Sequence, residues 1–220
     1  MEKNIIFFDL DGTLTDPMLG ITRSVQHALK AYGIIEEDLT RLIPFIGPPL
    51  KDSFVKFYDF SEEQAKEAIY KYREYFAVGG LFENRVYEGI PELLGQLRAA
   101  GKKLYVATSK PEEFARQILE HFHLDSYFDY IGGASMDEVR VKKGDVIAYT
   151  MEQAGIEHAD RSQMVMVGDR EHDVLGAKEQ GLDCVGVLFG YGPREELEAA
   201  GAWKIAANMD ELTKILMGNL

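Results

Sequence analysis

The chain opens on four consecutive apolar residues, Ile5-Ile6-Phe7-Phe8, followed by two carboxylates one residue apart, Asp9 and Asp11, and then by Gly12 and Thr13. A run this short and this uniformly apolar predicts a strand buried on both faces. Past Asp16-Pro17 the period becomes helical. Ile21, Val25, Ala28, Leu29 and Tyr32 fall on one face of a helix over 19–32, which Gly33 stops. A short helix over 38–43 precedes a loop at Ile46-Gly47-Pro48-Pro49, where two prolines exclude a helix interior but suit a helix start. Leu50, Phe54 and Phe57 mark the next helix. Ser61 with Gln64 reads as a capping box. It opens a helix through Tyr75 with Ala65, Ala68, Ile69, Tyr72 and Phe76 turned inward, and Gly79-Gly80 ends it. Residues 17–85 are therefore expected to be all-helical, with the aromatic residues forming their core.

From residue 86 strands alternate with helices. Strands are predicted over 103–107, 127–131, 164–167, 184–188 and 203–206, and helices over 91–100, 111–122, 143–154, 170–180, 195–200 and 210–217. Such alternation implies right-handed crossovers and a parallel sheet. The opening strand belongs to that sheet, which makes residues 17–85 an insertion. The expected architecture is α/β: a Rossmann-like parallel sheet core from residues 1–16 and 86–220, carrying an inserted all-helical domain. Sites in these sheets lie at the carboxyl ends of the strands, near the switch in strand order. The residues predicted there are Asp9, Asp11, Thr108, Ser109 and Asp169.

Charge narrows the partners. The 220 residues carry 37 acids against 24 bases, a net charge of −13. Nucleic acid and anionic membrane both select basic patches and are disfavoured. A small anionic substrate held by a metal and a few local cations is not. Cys184 is the only cysteine, so no intrachain disulfide forms. The N-terminal apolar run is too short for a signal peptide, and no apolar stretch reaches membrane-spanning length. The expected location is cytoplasmic. The five histidines show no paired ligand spacing beyond His121-x-His123, and no zinc site is expected.

The two opening acids pose a problem of their own. Alternate residues of a strand share a face, so Asp9 and Asp11 repel unless a cation lies between them or one holds a proton. Asp9-Leu10-Asp11-Gly12-Thr13-Leu14 resembles the first motif of the haloacid dehalogenase-like hydrolases. Thr108, Lys143 and Gly168-Asp169 through Asp173 match the second, third and fourth motifs in order. The helical insertion is similar to the cap of the phosphoglycolate phosphatase and phosphoglucomutase branch.

The resemblance implies a Mg²⁺-dependent phosphatase that hydrolyses a small phosphorylated metabolite through an aspartyl-phosphate. Asp9 is then the nucleophile, and Asp11 the general acid that later acts as base. Members of the family that keep the aspartyl-phosphate long-lived have Thr at the place of Asp11, and dehalogenating members lack an acid there. Thr108 and Ser109 would hydrogen-bond the phosphoryl oxygens. Lys143 would supply the cation; it is chosen over Lys142 because Gly144-Asp145-Val146-Ile147 matches the run that follows the third-motif lysine. The implied metal ligands are the Asp9 side chain, the Asp11 carbonyl and Asp169. Asp173 reaches the metal directly or through water, or serves as a helix N-terminal acid. Within the cap, Gly47 lies in a loop that resembles the one facing the active site, and Arg23 and Lys51 are candidate cations for a second anionic group. Gly12 permits the turn after the strand, which Thr13 and Thr15 are expected to brace. Lys110-Pro111 suits a helix start and a phosphate role equally. Phosphoglycolate and a nucleoside monophosphate, as for a 5′-nucleotidase, are the substrates the branch suggests. A β-phosphoglucomutase-like phosphomutase and a non-catalytic binding protein of the same fold are the alternatives.

Overall fold

A computed structural model describes residues 2–137 and 139–218. The chain forms two compact units, one from residues 1–15 and 86–220 and the other from residues 16–85. Strand β1 (Ile5–Phe8) comes first, and Thr15–Asp16 forms the short β2. The helical unit follows with α1 (Met18–Lys30), a 3-10 segment Leu39–Phe45, α2 (Leu50–Tyr58), α3 (Glu62–Tyr75) and a π-helical turn Phe76–Gly80. The chain returns through β3 (Arg85–Val86), which pairs with β2. These two-residue strands were not expected from the pattern, which is too short there to show a period.

Within the helical unit, α1 buries Ile21, Val25, Ala28 and Leu29. The capping box closes both ways: Ser61 Oγ accepts from the Gln64 N–H at 3.2 Å, and Gln64 Oε1 accepts from the Ser61 N–H at 2.9 Å. The aromatic residues pack on one another. Phe54 stacks on Phe60 at 5.7 Å and meets Phe45 edge-on at 5.0 Å. Phe57 packs on Phe45 at 5.5 Å but is half turned to solvent, and Tyr70 and Phe82 are exposed as well.

The α/β unit continues with α4 (Ile90–Ala99), β4 (Lys103–Pro111), α5 (Glu112–His121), β5 (Tyr130–Ala134), α6 (Lys143–Gln153) and β6 (Met164–Gly168). It ends with α7 (Glu171–Glu179), β7 (Asp183–Val187), α8 (Arg194–Ala200), β8 (Lys204–Ala206) and α9 (Met209–Leu216). The strands form one parallel sheet in the order β5-β4-β1-β6-β7-β8. The order reverses at β1, which lies between β4 and β6. Ile6, Phe7 and Phe8 have no exposed surface, and Phe7 stacks on Tyr105 at 5.2 Å. Each such aromatic contributes about 1.5–3 kcal/mol of burial free energy. The apolar run therefore anchors the sheet and fixes where its polar end emerges.

Most boundaries differ from expectation by a residue or two, and two strands differ by three or more. Strand β5 starts three residues later than the 127–131 span, because Gly132 and Gly133 lie inside it instead of closing it. A Cβ on Gly132 would stand 1.9 Å from Thr150 Oγ1, so α6 packs too closely for any other residue. Strand β4 runs on through Pro111, where the sequence suggested a helix start.

Candidate active site

The acids at the end of β1 are buried, Asp9 at 4% exposure and Asp11 at 8%. The Asp9 N–H donates to the Val167 carbonyl at 2.9 Å, so pairing with β6 carries one residue beyond the strand. The chain then turns back. The Leu10 carbonyl accepts from the N–H groups of Leu14 and Thr15 at 2.9 and 3.0 Å, and the Gly12 N–H donates to the Thr15 carbonyl at 2.8 Å. Main-chain groups thus close the turn. The Thr13 hydroxyl is buried and has no hydrogen-bond partner, so it does not provide the expected brace.

Lys143, the first residue of α6, gathers the site. Its Nζ lies 2.7 Å from Asp9 Oδ1 and 2.8 Å from Asp173 Oδ1, and donates to the Ala107 carbonyl at 3.0 Å. One ammonium therefore ties together the end of β1, the middle of β4 and the first turn of α7. Lys142 beside it is exposed. Asp173 does two jobs: Oδ1 faces Lys143, while Oδ2 accepts from the Arg170 N–H at 3.1 Å and caps α7.

Asp169 follows β6 and is fully buried. Its Oδ2 accepts from the Tyr191 N–H at 2.7 Å, and its Oδ1 has no partner. The loop Gly190-Tyr191-Gly192 wraps this carboxylate. A Cβ on Gly190 would stand 2.4 Å from the Asp169 Cβ and 2.3 Å from the Gly12 carbonyl. Sequence reasoning passed over this loop. Its signal is a Gly-x-Gly just past the carboxyl end of a strand, where backbone must approach a ligand or another backbone closely.

Asp9, Asp169 and Asp173 each present a carboxylate oxygen, all within 4.8 Å of one another. One lysine cannot neutralise three acids. Burial, then Asp173 and Asp9, push the Asp169 carboxyl well above its ordinary value. Burial also pushes Asp173 up, against the pull of Lys143. Burial pushes Asp11 up against Lys110, whose Nζ is 2.7 Å from Asp11 Oδ2. Hard oxygen donors, an orphaned buried oxygen and surplus negative charge fit a hard divalent cation held by few protein ligands.

Thr108 is buried inside β4 instead of at its expected end, just before the register with β5 shifts, and its hydroxyl accepts from the Lys110 N–H at 3.2 Å. Ser109 is half-buried beside it. The remaining predicted residues lie in the helical unit. Arg23 pairs with Glu83 at 2.5 Å, Lys51 with Glu62 at 2.8 Å, and Gly47 takes a positive φ of 101° in the loop before α2.

Gly12 has φ +83°, and a Cβ there would stand 2.3 Å from Asp169 Oδ2. Gly12→Ala is therefore expected to cost about 1–3 kcal/mol in strain. By moving the Asp169 carboxylate it should also cut kcat by about 10²-fold. Thermal unfolding and steady-state kinetics check both; an alanine variant of normal rate would show that the Asp169 position is not critical.

The haloacid dehalogenase-like hydrolase family pattern matches residues 6–187. A 5′-nucleotidase of Pseudomonas aeruginosa is 49% identical over 213 residues, covering 96% of this chain and 94% of its own. The tyrosine-protein kinase PtkA of Mycobacterium tuberculosis is 41% identical, covering 98% of this chain and 73% of its own. The crystal structure of a predicted phosphatase from Clostridium acetobutylicum superposes with a TM-score of 0.95 at 49% identity, covering 99% of this chain and all of the other.

Proposed function

Since this chain belongs to the haloacid dehalogenase-like hydrolases and is a phosphoric monoester hydrolase, we propose that it is a Mg²⁺-dependent phosphatase of small metabolites working through an aspartyl-phosphate on Asp9. The observation that carries this is the setting of Asp9. It is a buried carboxylate at the end of the central strand, 2.7 Å from Lys143 and grouped with two further acids. A bound cation and a charged reaction centre give such a cluster a use.

Each residue then has a task. An Asp9 oxygen attacks phosphorus. Lys143 neutralises Asp9 and Asp173 and keeps its charge beside the developing phosphoryl charge. Thr108, whose oxygen already accepts from the Lys110 N–H, has its hydroxyl proton to give to a phosphoryl oxygen. Asp11 protonates the leaving oxygen and then takes a proton from the attacking water. Asp169, Asp9, Asp173 and the Asp11 carbonyl would hold Mg²⁺, which supplies charge that shields the anionic ester from the acids. An acid at position 11 supports hydrolysis over retention of the phosphoryl group.

With a 49% identical relative named as a 5′-nucleotidase, nucleoside 5′-monophosphates are the first substrates to try, before phosphoglycolate. With Mg²⁺ supplied, the protein is expected to release phosphate from at least one member of a panel of nucleoside monophosphates, phosphoglycolate and sugar phosphates. EDTA should abolish that release, and excess Mg²⁺ should restore it. No release from any member by folded protein would overturn the phosphatase reading. Migration of phosphate on a sugar without net release would identify a mutase.

A further inference from the structure

Lys110 is a buried lysine that no step above uses. It is 8% exposed, and its Nζ sits 2.7 Å from Asp11 Oδ2. A buried ammonium needs a counter-charge, yet the counter-charge here is the residue assigned to move the proton. The lysine reaches it from a fixed base. Its N–H donates to Thr108 Oγ1 at 3.2 Å, and β4 continues through Pro111. A Cβ on Gly133 of the neighbouring strand would stand 2.7 Å from the Lys110 carbonyl, so β5 packs directly against this backbone. The ion pair uses Asp11 Oδ2. Asp11 Oδ1 is buried and has no hydrogen-bond partner.

We infer that Lys110 is a positioning residue that grips Oδ2 of Asp11 and so fixes its rotamer, leaving Oδ1 as the oxygen that delivers and collects the proton. This rests on the reading of Asp11 as general acid. In the first half-reaction an Asp9 oxygen bonds to phosphorus while the bond from phosphorus to the leaving oxygen breaks. The proton on Asp11 Oδ1 passes to that leaving oxygen, and the resulting carboxylate keeps Lys110 as its partner. In the second half Oδ1 takes a proton from water, the water oxygen bonds to phosphorus, and the Asp9–phosphorus bond breaks. Lys110 gains and loses nothing.

A lysine needed only for folding, or only for binding phosphate, would slow all esters alike. A lysine that aims the general acid matters most where the leaving group needs its proton. The test is first-turnover release of the phenol, with Mg²⁺ present, from p-nitrophenyl, phenyl and p-methoxyphenyl phosphates, which have nearly the same shape and rising leaving-group basicity. Lys110→Met is expected to slow the p-methoxyphenyl ester by about 10²-fold and the p-nitrophenyl ester by less than about tenfold. Asp11→Asn should steepen the series in the same sense. Circular dichroism and the melting temperature verify folding, and Lys110→Gln serves if the methionine variant fails. A parallel loss across the series in a folded variant overturns the inference. Failure of the reading beneath it looks different: the wild type releases no phenol from any ester, or Asp11→Asn leaves the slope unchanged.

Discussion

Asp9→Asn is expected to lower turnover by about 10⁴-fold or more and to leave the protein folded. A carboxamide nitrogen and oxygen are both poor nucleophiles toward phosphorus, so the aspartyl-phosphate does not form. The side chain keeps its shape, and its Oδ1 still accepts from the Leu10 N–H, a bond of 2.8 Å. Lys143 loses one partner but retains Asp173 at 2.8 Å and the Ala107 carbonyl at 3.0 Å. One of three crowded acids has become neutral. In metal-free buffer the melting temperature should therefore equal or exceed that of the wild type. Acid quenching during turnover should trap hydroxylamine-sensitive phosphate on the wild type and none on the variant. A variant with near-normal rate and trapped phosphate would remove Asp9 from its role.

Lys143→Met is expected to do the opposite, harming both stability and rate. It leaves Asp9 and Asp173 buried without their common cation. Removing one side of a buried ion pair typically costs about 3–5 kcal/mol, because the remaining charge is stranded. Burial works against the Lys143 charge, but Asp173 and Asp9 outweigh it and hold the ammonium above the ordinary lysine range. A group with a raised folded pKa contributes its stability fully below its unfolded value and loses it only as pH climbs through the folded one. The deficit of the methionine variant should thus be present throughout the neutral range. Urea unfolding measures it, and kcat should fall by about 10³-fold. Arginine is not expected to rescue, since its planar fork does not replace a compact ammonium in a closed pocket. A stable, active methionine variant would show that the three acids do not depend on this lysine.

The sheet was readable because strands buried on both faces are written as plain apolar runs. Ile5–Phe8 and Met164–Val167 are examples, and their carboxyl ends pointed to Asp9 and Asp169. Reading failed where glycine had a packing role. Gly132-Gly133 looks like a strand end but lies within β5, since α6 and the 110–112 backbone press too close for side chains. Lys110 was ambiguous for another reason. A lysine before a proline is ordinary in sequence, and only the pairing of β4 with β1 brings it to Asp11. The Gly190-Tyr191-Gly192 loop is separated from Asp169 by a whole helix and strand, so no local pattern joins them. Arg23 and Lys51 each have an acidic partner within the helical unit, which charge type alone could not show.

The crowding of Asp9, Asp169 and Asp173 within 4.8 Å has a thermodynamic side. An ion that binds the native chain and not the unfolded one adds RT ln(1 + [L]/Kd) to the unfolding free energy, about 2.7 kcal/mol at a hundredfold excess over Kd. Unfolding scatters these acids, because they come from the end of β1, the end of β6 and the start of α7. On the proposed reading the catalytic centre would thereby also be a linkage device, and the resistance of this protein to heat is expected to rise with the free divalent ion around it.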